Sequence, residues 1–352
     1  MGSMHCTVNR LIIMAEKTKQ HFVPKMLLKR YSWDGIHVNL CNIRKTLELK
    51  PVPYEPQCQK RYFYGKDKKI ENNLSKVEGV IDLEITKLVS GCLVPLMNLS
   101  CVYLDSKELR REILSYIYIQ YTRTQKAKNL VSRALDNHFD IFKKQKKEDI
   151  LNDLIKKSES NSWGLTRDDI NNLIDSCTIE KNNLFEHIFN EAYRQYNRNS
   201  NLKGVLLFNL SKIPFITSDN PVLNIVTLFP ENVLSFFMPV SPAHCLFFYD
   251  EHYFTVQHIE NVVFISNTNE ISYINMMQCE NCESNIYLPH LSSDLTLRDV
   301  LGENIHGGQF FNHIKAISLS EDYSDNIIIP IAGGHATTLP LRQEKTSPEG
   351  LE

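Results

Sequence analysis

"IYIQYTRT", residues 117–124, closes a stripe in which Leu109, Ile113, Tyr116, Ile117 and Gln120 recur three and four positions apart. That spacing lines one face of an α-helix. The stretch decides the fold because it makes the middle of the chain helical and then interrupts its own pattern with polar groups. "DSKE", residues 105–108, precedes the stripe, and Asp105 or Ser106 can cap the helix start. Gln120 and Thr124 prolong the stripe, with Arg123 on its neighbouring edge. An arginine that ends an apolar stripe is either a salt-bridge partner or an anion clamp.

A second stripe lies upstream: Leu74, Val77, Ile81, Ile85, Leu88 and Val89, with Leu93 extending it towards Pro95. Glu78 falls on or beside that face. An unpaired carboxylate there would be expensive to bury, so a cationic or hydrogen-bonding partner is required. Arg123 supplies one. Packing the two helices together predicts that Glu78 and Arg123 approach within about 4 Å.

Working outward to the amino-terminal side, "TKQHFVPKMLLKRYSWDG", residues 18–35, places Pro24 at a helix start. Met26, Leu27, Arg30 and Tyr31 recur at helical spacing, and Lys25 and Lys29 share another face. His21 sits just before this helix. It is either held by the backbone or free to exchange a proton near its ordinary pKa of about 6.5. Residues 36–64 read as strand and turn: "HVNLCNI" alternates, "KPVPYEP" is proline-punctuated and "RYFYG" ends in glycine.

Towards the other end, residues 129–201 are rich in lysine, asparagine and aspartate. "KKQKKEDILNDLIKK" and "LFEHIFNEAYRQY" within them have helical patterns. The lysine run is interrupted by acids at helical spacing, which favours a solvated face over a nucleic-acid patch. From Gly204, short β-type runs such as "GVLLFNL", "VLSFFMPVSP" and "HCLFFYD" take over. "ISYINMMQCENCESNIYLP", residues 271–289, reads as a late helix closed by Pro289. The resulting class is α+β, a helical middle packed against β-rich amino- and carboxy-terminal flanks. Residues 19–331 read as one α+β domain with a helical insertion at 129–201. Residues 1–18 are read as a vector-derived scar ("MGSM") with an extension, and 332–352 as a loosely ordered tail ending in a second scar ("LE").

The 352 residues carry 39 Lys plus Arg against 41 Asp plus Glu, a formal charge of −2. Global charge therefore gives no reason to bind nucleic acid, and any polyanion site must be a local patch. Nine cysteines with no credible secretory leader fit reduced thiols, so a cytoplasmic protein is expected. No stretch approaches the roughly 18 apolar residues needed to span a bilayer, and no membrane partner is expected. A glycine-rich phosphate loop, a nucleophile elbow, a paired-histidine zinc helix and a dinucleotide fingerprint are all missing, as is any repeat of 20 to 50 residues. "CENC", residues 279–282, could join a zinc site with His290, Cys245 or His313, but lacks a second pair. Buried helical thiols are the simpler reading, and no metal ligand is assigned.

Two turns complete the candidates. In "KIPFITSDNPVLNI" a β-type run at residues 213–217 ends in Ser218, Asp219 and Asn220 before Pro221. Asp219 is either an ordinary turn initiator or a carboxylate presented to a cleft. "FMPVSPAHC" brackets Ser241 between prolines, and its hydroxyl carries no sign of activation in the sequence, so a structural turn is favoured.

Taken in order, "QHFVPKMLLKRYSWDG", "LSKVEG", "IYIQYTRT", "PFITSDNPV", "FFMPVSP" and "INMMQCENCESNIY" resemble the bacterial family called domain of unknown function 4238. The resemblance spans residues 19–289 in separated blocks, with none in 143–201. It implies family positions at His21 with Pro24, Arg123 with Thr124, Asp219 with Asn220 and Pro221, Ser241 with Pro242, and Asn275 or Asn281. It also implies a toxin or antiviral defence setting. With it, the expected function is a nuclease that cleaves RNA or DNA phosphodiesters by acid-base chemistry. His21, Asp219 and Glu78 would be catalytic; Lys25, Arg30, Gln120, Arg123, Asn220 and Asn275 would bind substrate; a divalent metal such as Mg²⁺ is the candidate cofactor. The alternative is a non-catalytic sensor or binding module for a phage component or a nucleotide.

Overall fold

The computed structural model describes residues 18–91, 104, 106–181, 183–224 and 235–302, together with short backbone pieces at 314–316, 330–331 and 335–336. Expectations that concern Leu93, Pro95, Asp105, His313, Cys6, Cys92, Cys101 and both chain ends lie outside them.

In chain order the elements are β1 (Lys19–His21), α1 (Lys25–Lys29), β2 (His37–Asn42), β3 (Thr46–Pro53) and β4 (Gln59–Arg61), then the helices α2 (Lys69–Gly91), α3 (Lys107–Thr122), α4 (Gln125–Ser160), α5 (Arg167–Ser176) and α6 (Leu184–Arg198). The carboxy-terminal part adds β5 (Lys203–Asn209), β6 (Thr217–Ser218), β7 (Leu223–Asn224), β8 (Phe236–Ser241), β9 (His244–Tyr249), β10 (Phe254–Val256), β11 (Val262–Ile265), α7 (Thr268–Asn281), β12 (Asn285–Leu288) and α8 (Leu297–Leu301). The class is α+β, with a helical middle and strand-rich flanks.

Both flanks build one four-stranded antiparallel sheet, ordered β3-β2-β12-β6. Strands from opposite ends of the sequence therefore pair directly. Pro51 and Pro53 fall in β3, the edge strand, where a missing N–H costs no ladder bond. A five-stranded sheet, β11-β5-β9-β8-β7, is antiparallel except for the parallel pair β11 and β5. Both of its faces are covered, which is why β8 and β9 are continuous apolar runs. Leu206, Phe236, Met238, Leu246 and Phe248 pack towards α3 and α6, while Val205, Phe237 and Phe247 pack with Ile271, Ile274 and Met277 of α7. Gly204 faces Phe248 across this sheet, and a Cβ there would lie 2.9 Å from the ring.

The stripe of α3 is buried in full: Leu109, Ile113, Tyr116, Ile117 and Gln120. Each large aliphatic on it contributes about 1.5–3 kcal/mol of burial. Ser106 caps the helix by accepting from Leu109 N. On α2, Leu74, Ile81, Ile85 and Leu88 are buried, but Val77 is exposed, as are Val80 and Leu83. The expected stripe is thus narrower than its spacing suggests, because α3 covers only one side of α2. The lysine run of α4 is held at its surface by pairs such as Lys147 with Asp175 and Lys157 with Asp153.

Two expectations change. The run at 213–217 is strand only from Thr217, since Phe215 N and Ile216 N are taken by Pro242 O and the Asn275 side chain rather than by a neighbouring strand. The late helix stops at Asn281, well before Pro289. Residues 285–288 instead form β12, inside the four-stranded sheet. The turn between them is made by a side chain from elsewhere, Asp219.

Candidate functional site

Arg123 ends α3 and Thr124 begins α4, so a sharp joint presents two polar side chains to the flanks. Thr124 accepts from Ala127 N as a helix cap and donates to Asn220 Oδ1 at 2.6 Å. Arg123 is fully buried, and its Nη2 lies 2.7 Å from Glu78 Oε1, the carboxylate of a residue 23% exposed. The expected pair is present. It is an ion contact rather than an aligned hydrogen bond, and Arg123 Nε and Nη1 have no hydrogen-bond partner among the described residues. Burial works against the guanidinium charge, but Tyr64, Glu78 and Tyr116 outweigh it and hold its pKa above the ordinary value.

Around Arg123 gather groups from β1, the turn after β4, and α3. Gln120 Nε2 donates to Phe22 O at 3.1 Å, whereas its Oε1 and the Tyr116 hydroxyl have no partner among the described residues. Tyr64 donates its hydroxyl to His21 O at 2.8 Å, and its amide donates to Gln20 Oε1. His21 Nε2 donates to Glu55 O at 2.9 Å. That bond places the proton on Nε2 and leaves the Nδ1 lone pair as an acceptor. Burial lowers the His21 pKa, with Lys25 and Arg123 acting in the same direction against the Glu55 bond and Glu78. Lys25 is half-exposed, 3.7 Å from Glu55. The structure therefore brings His21, Lys25, Glu78, Gln120 and Arg123 into one neighbourhood.

Asp219, Asn220 and Asn275 occupy the next layer, against α7. Asp219 accepts backbone N–H groups from Glu283, Ser284 and Asn285 at 2.7–2.9 Å, which closes α7 and aims the chain into β12. Burial outweighs these three bonds and raises its pKa to about 6. Asn220 and Asn281 exchange bonds with each other's backbone, and Asn275 braces Pro214 O, Val300 O and Ile216 N. These carboxylate and amide groups already hold backbone. Arg30 reaches the other way, to Asp82 Oδ1 at 2.6 Å and Thr86 Oγ1 at 2.7 Å, and ties α1 to α2.

Two apolar grooves flank the helices. One of about 240 Å³ is lined by Leu74, Val77, Tyr118, Ile119 and Tyr196. The other, about 470 Å³, is lined by Val80, Ile81 and Tyr116 with Lys76, Arg111 and Glu112. Neither is lined by His21 or Asp219. Tyr64 and Tyr116 are the members of the cluster that the spacing alone did not single out. Tyr116, Gln120 and Arg123 are spaced four and three apart, one helical face, which is the signal that could have found Tyr116.

Among the described residues no group of three or more His, Cys, Asp or Glu side chains is placed to hold a metal ion. Cys282 donates to Cys279 O within α7 and its cap, and burial pushes the Cys279 thiol up to about 12. Among the described residues, too, no helix is long and apolar enough to cross a membrane.

No curated protein and no solved structure matches the chain. The motifs that meet at Arg123 and Asp219 fall within the span of a family model that matches residues 19–289, and the chain belongs to the family described as "Protein of unknown function (DUF4238)".

Proposed function

We propose that this chain binds a phosphate-bearing ligand, a nucleotide or a nucleic-acid strand, at the rim formed by His21, Lys25 and Glu78 above Arg123. The observation that carries this reading is the state of Arg123. It is a permanent cation, fully buried, in contact with one carboxylate and left with two nitrogens that donate to no described residue. Its planar fork suits phosphate oxygens, and the Tyr116 hydroxyl is a further donor without a partner among the described residues.

One observation favours a second reading, phosphodiester cleavage. The Glu55 carbonyl fixes the His21 tautomer and leaves Nδ1 able to take a proton from an attacking hydroxyl. Glu78 would balance the imidazolium, and a divalent ion such as Mg²⁺ would arrive with the substrate phosphates. In a bacterial cytoplasm either activity would serve as a toxin or an antiviral component, which is what the family resemblance implies.

The test is incubation with RNA, single-stranded DNA, duplex DNA and nucleotides, with and without Mg²⁺ or Mn²⁺, read by calorimetry and gel. Binding that Arg123→Lys weakens at an unchanged fold supports the first reading, and turnover abolished by His21→Ala adds the second. Neither binding nor turnover in any mixture overturns both.

A further inference from the structure

The two apolar grooves share Val77, Ser115, Ile119 and Tyr196, so they run into one another between α2, α3 and α6. Leu74, Ile81 and Tyr118 are buried and form the floor, while Val77, Val80 and Tyr193 stand exposed along the rim. On the α2 side the lining extends from Ile70 to Ile81, about 16 Å of helix. An α-helix of that length, roughly 10 Å across, needs more room than cavities of about 240 and 470 Å³ provide. A single flexible chain does not. Val77, Val80 and Tyr193 are large apolar side chains left to water on one face, the mark of a surface that binds something.

The charges on that face say what kind of head the chain carries. Lys76 from α2 and Arg111 from α3 border the wider groove with one carboxylate, Glu112. All three are exposed, and none has an ion pair or hydrogen bond to another described residue. Two cations against one acid leave a single positive charge, which a monoanion balances. The Arg111 fork matches the two oxygens of a carboxylate.

We propose that the joined grooves bind a free fatty acid, its acyl chain laid along α2 and α3 and its carboxylate between Lys76 and Arg111. Transfer of each methylene from water to the groove supplies the affinity, and the cations fix which end of the ligand stays in solvent. This site shares neither Arg123 nor Glu78 with the phosphate reading, so the two stand or fall separately.

The full chain is titrated by calorimetry with octanoate, decanoate and dodecanoate, each below its micelle-forming concentration, and with dodecyltrimethylammonium as the cationic counterpart. The expected result is one saturable site whose affinity rises roughly tenfold for each two added methylenes and which discriminates against the cationic head. Val77→Trp, at an exposed position that lines both grooves, should abolish dodecanoate binding at an unchanged melting temperature. Lys76→Ala with Arg111→Ala should weaken it by about three- to tenfold, the scale of two solvated ion pairs. No saturable binding to the native chain overturns the proposal whatever the variants do. Equal affinity for dodecyltrimethylammonium overturns it as well, as does native affinity in a folded Val77→Trp chain. A native chain that sediments as a dimer and comes apart on Val77→Trp would make this face an interface between copies and would also overturn it.

Discussion

Arg123 Nη2 and Glu78 Oε1 stand 2.7 Å apart, joining the end of α3 to the middle of α2. Removing one partner leaves the other charged in a place built for two. Glu78→Gln should therefore destabilise the chain by about 2–4 kcal/mol, somewhat less than the roughly 3–5 kcal/mol of a fully buried broken pair because Glu78 keeps some solvent contact. Replacing both together, Glu78→Met with Arg123→Met, should cost less than the two single changes summed. Urea unfolding of the four proteins measures this coupling, and strict additivity would show that the pair does not interact.

That pair was legible because each helix announced its own defect: a carboxylate beside one apolar stripe and a guanidinium at the end of another. The pairing of β2 with β12 was not, since strands that far apart in sequence are joined by register rather than by any local signal. The same reason hid the end of α7. "CENCESNIY" continues a helical pattern, and what stops it is the carboxylate of Asp219, which arrives from another loop to take three backbone amides. Asp219 itself could be read from its sequence as a turn former or a site carboxylate. In the fold its visible work is on backbone.

Lys25 tests the rim without touching the core. It is half-exposed and its 3.7 Å pair with Glu55 is a surface contact worth at most about 1 kcal/mol. Lys25→Ala should leave the melting temperature within a degree or two while weakening a phosphate-bearing ligand by roughly three- to tenfold, the scale of one partly solvated ion pair. Calorimetry with the best nucleotide or oligonucleotide from the ligand panel decides it, and an unchanged Kd removes Lys25 from the interface.

Gly204 should tolerate no side chain. A methyl group would meet the Phe248 ring at 2.9 Å, inside a sheet covered on both faces, so the ring must move against close-packed neighbours. Gly204→Ala should cost about 1–3 kcal/mol. Pairing it with Phe248→Leu should recover part of that loss, and a double variant no more stable than Gly204→Ala alone would contradict the steric account.

Asp219 and His244 titrate against each other. The Asp219 carboxyl, raised to about 6 by burial, stabilises the fold most below its unfolded value near 3.8 and loses that contribution as pH rises through 6. His244, lowered to about 4 by burial and Arg30, does the reverse: its contribution is complete above about 6.5 and is lost as pH falls towards 4. Each shift is about two pKa units, a few kcal/mol, so between pH 4 and 6 the two slopes largely cancel. Asp219→Asn should therefore unmask a stability that climbs with pH across this window, and His21, also lowered by burial, adds to the climb. His244→Gln should tilt the profile the other way relative to the native chain. Urea midpoints at half-unit pH steps measure both differences, and parallel profiles for all three proteins would mean that neither group carries its shift in the folded state.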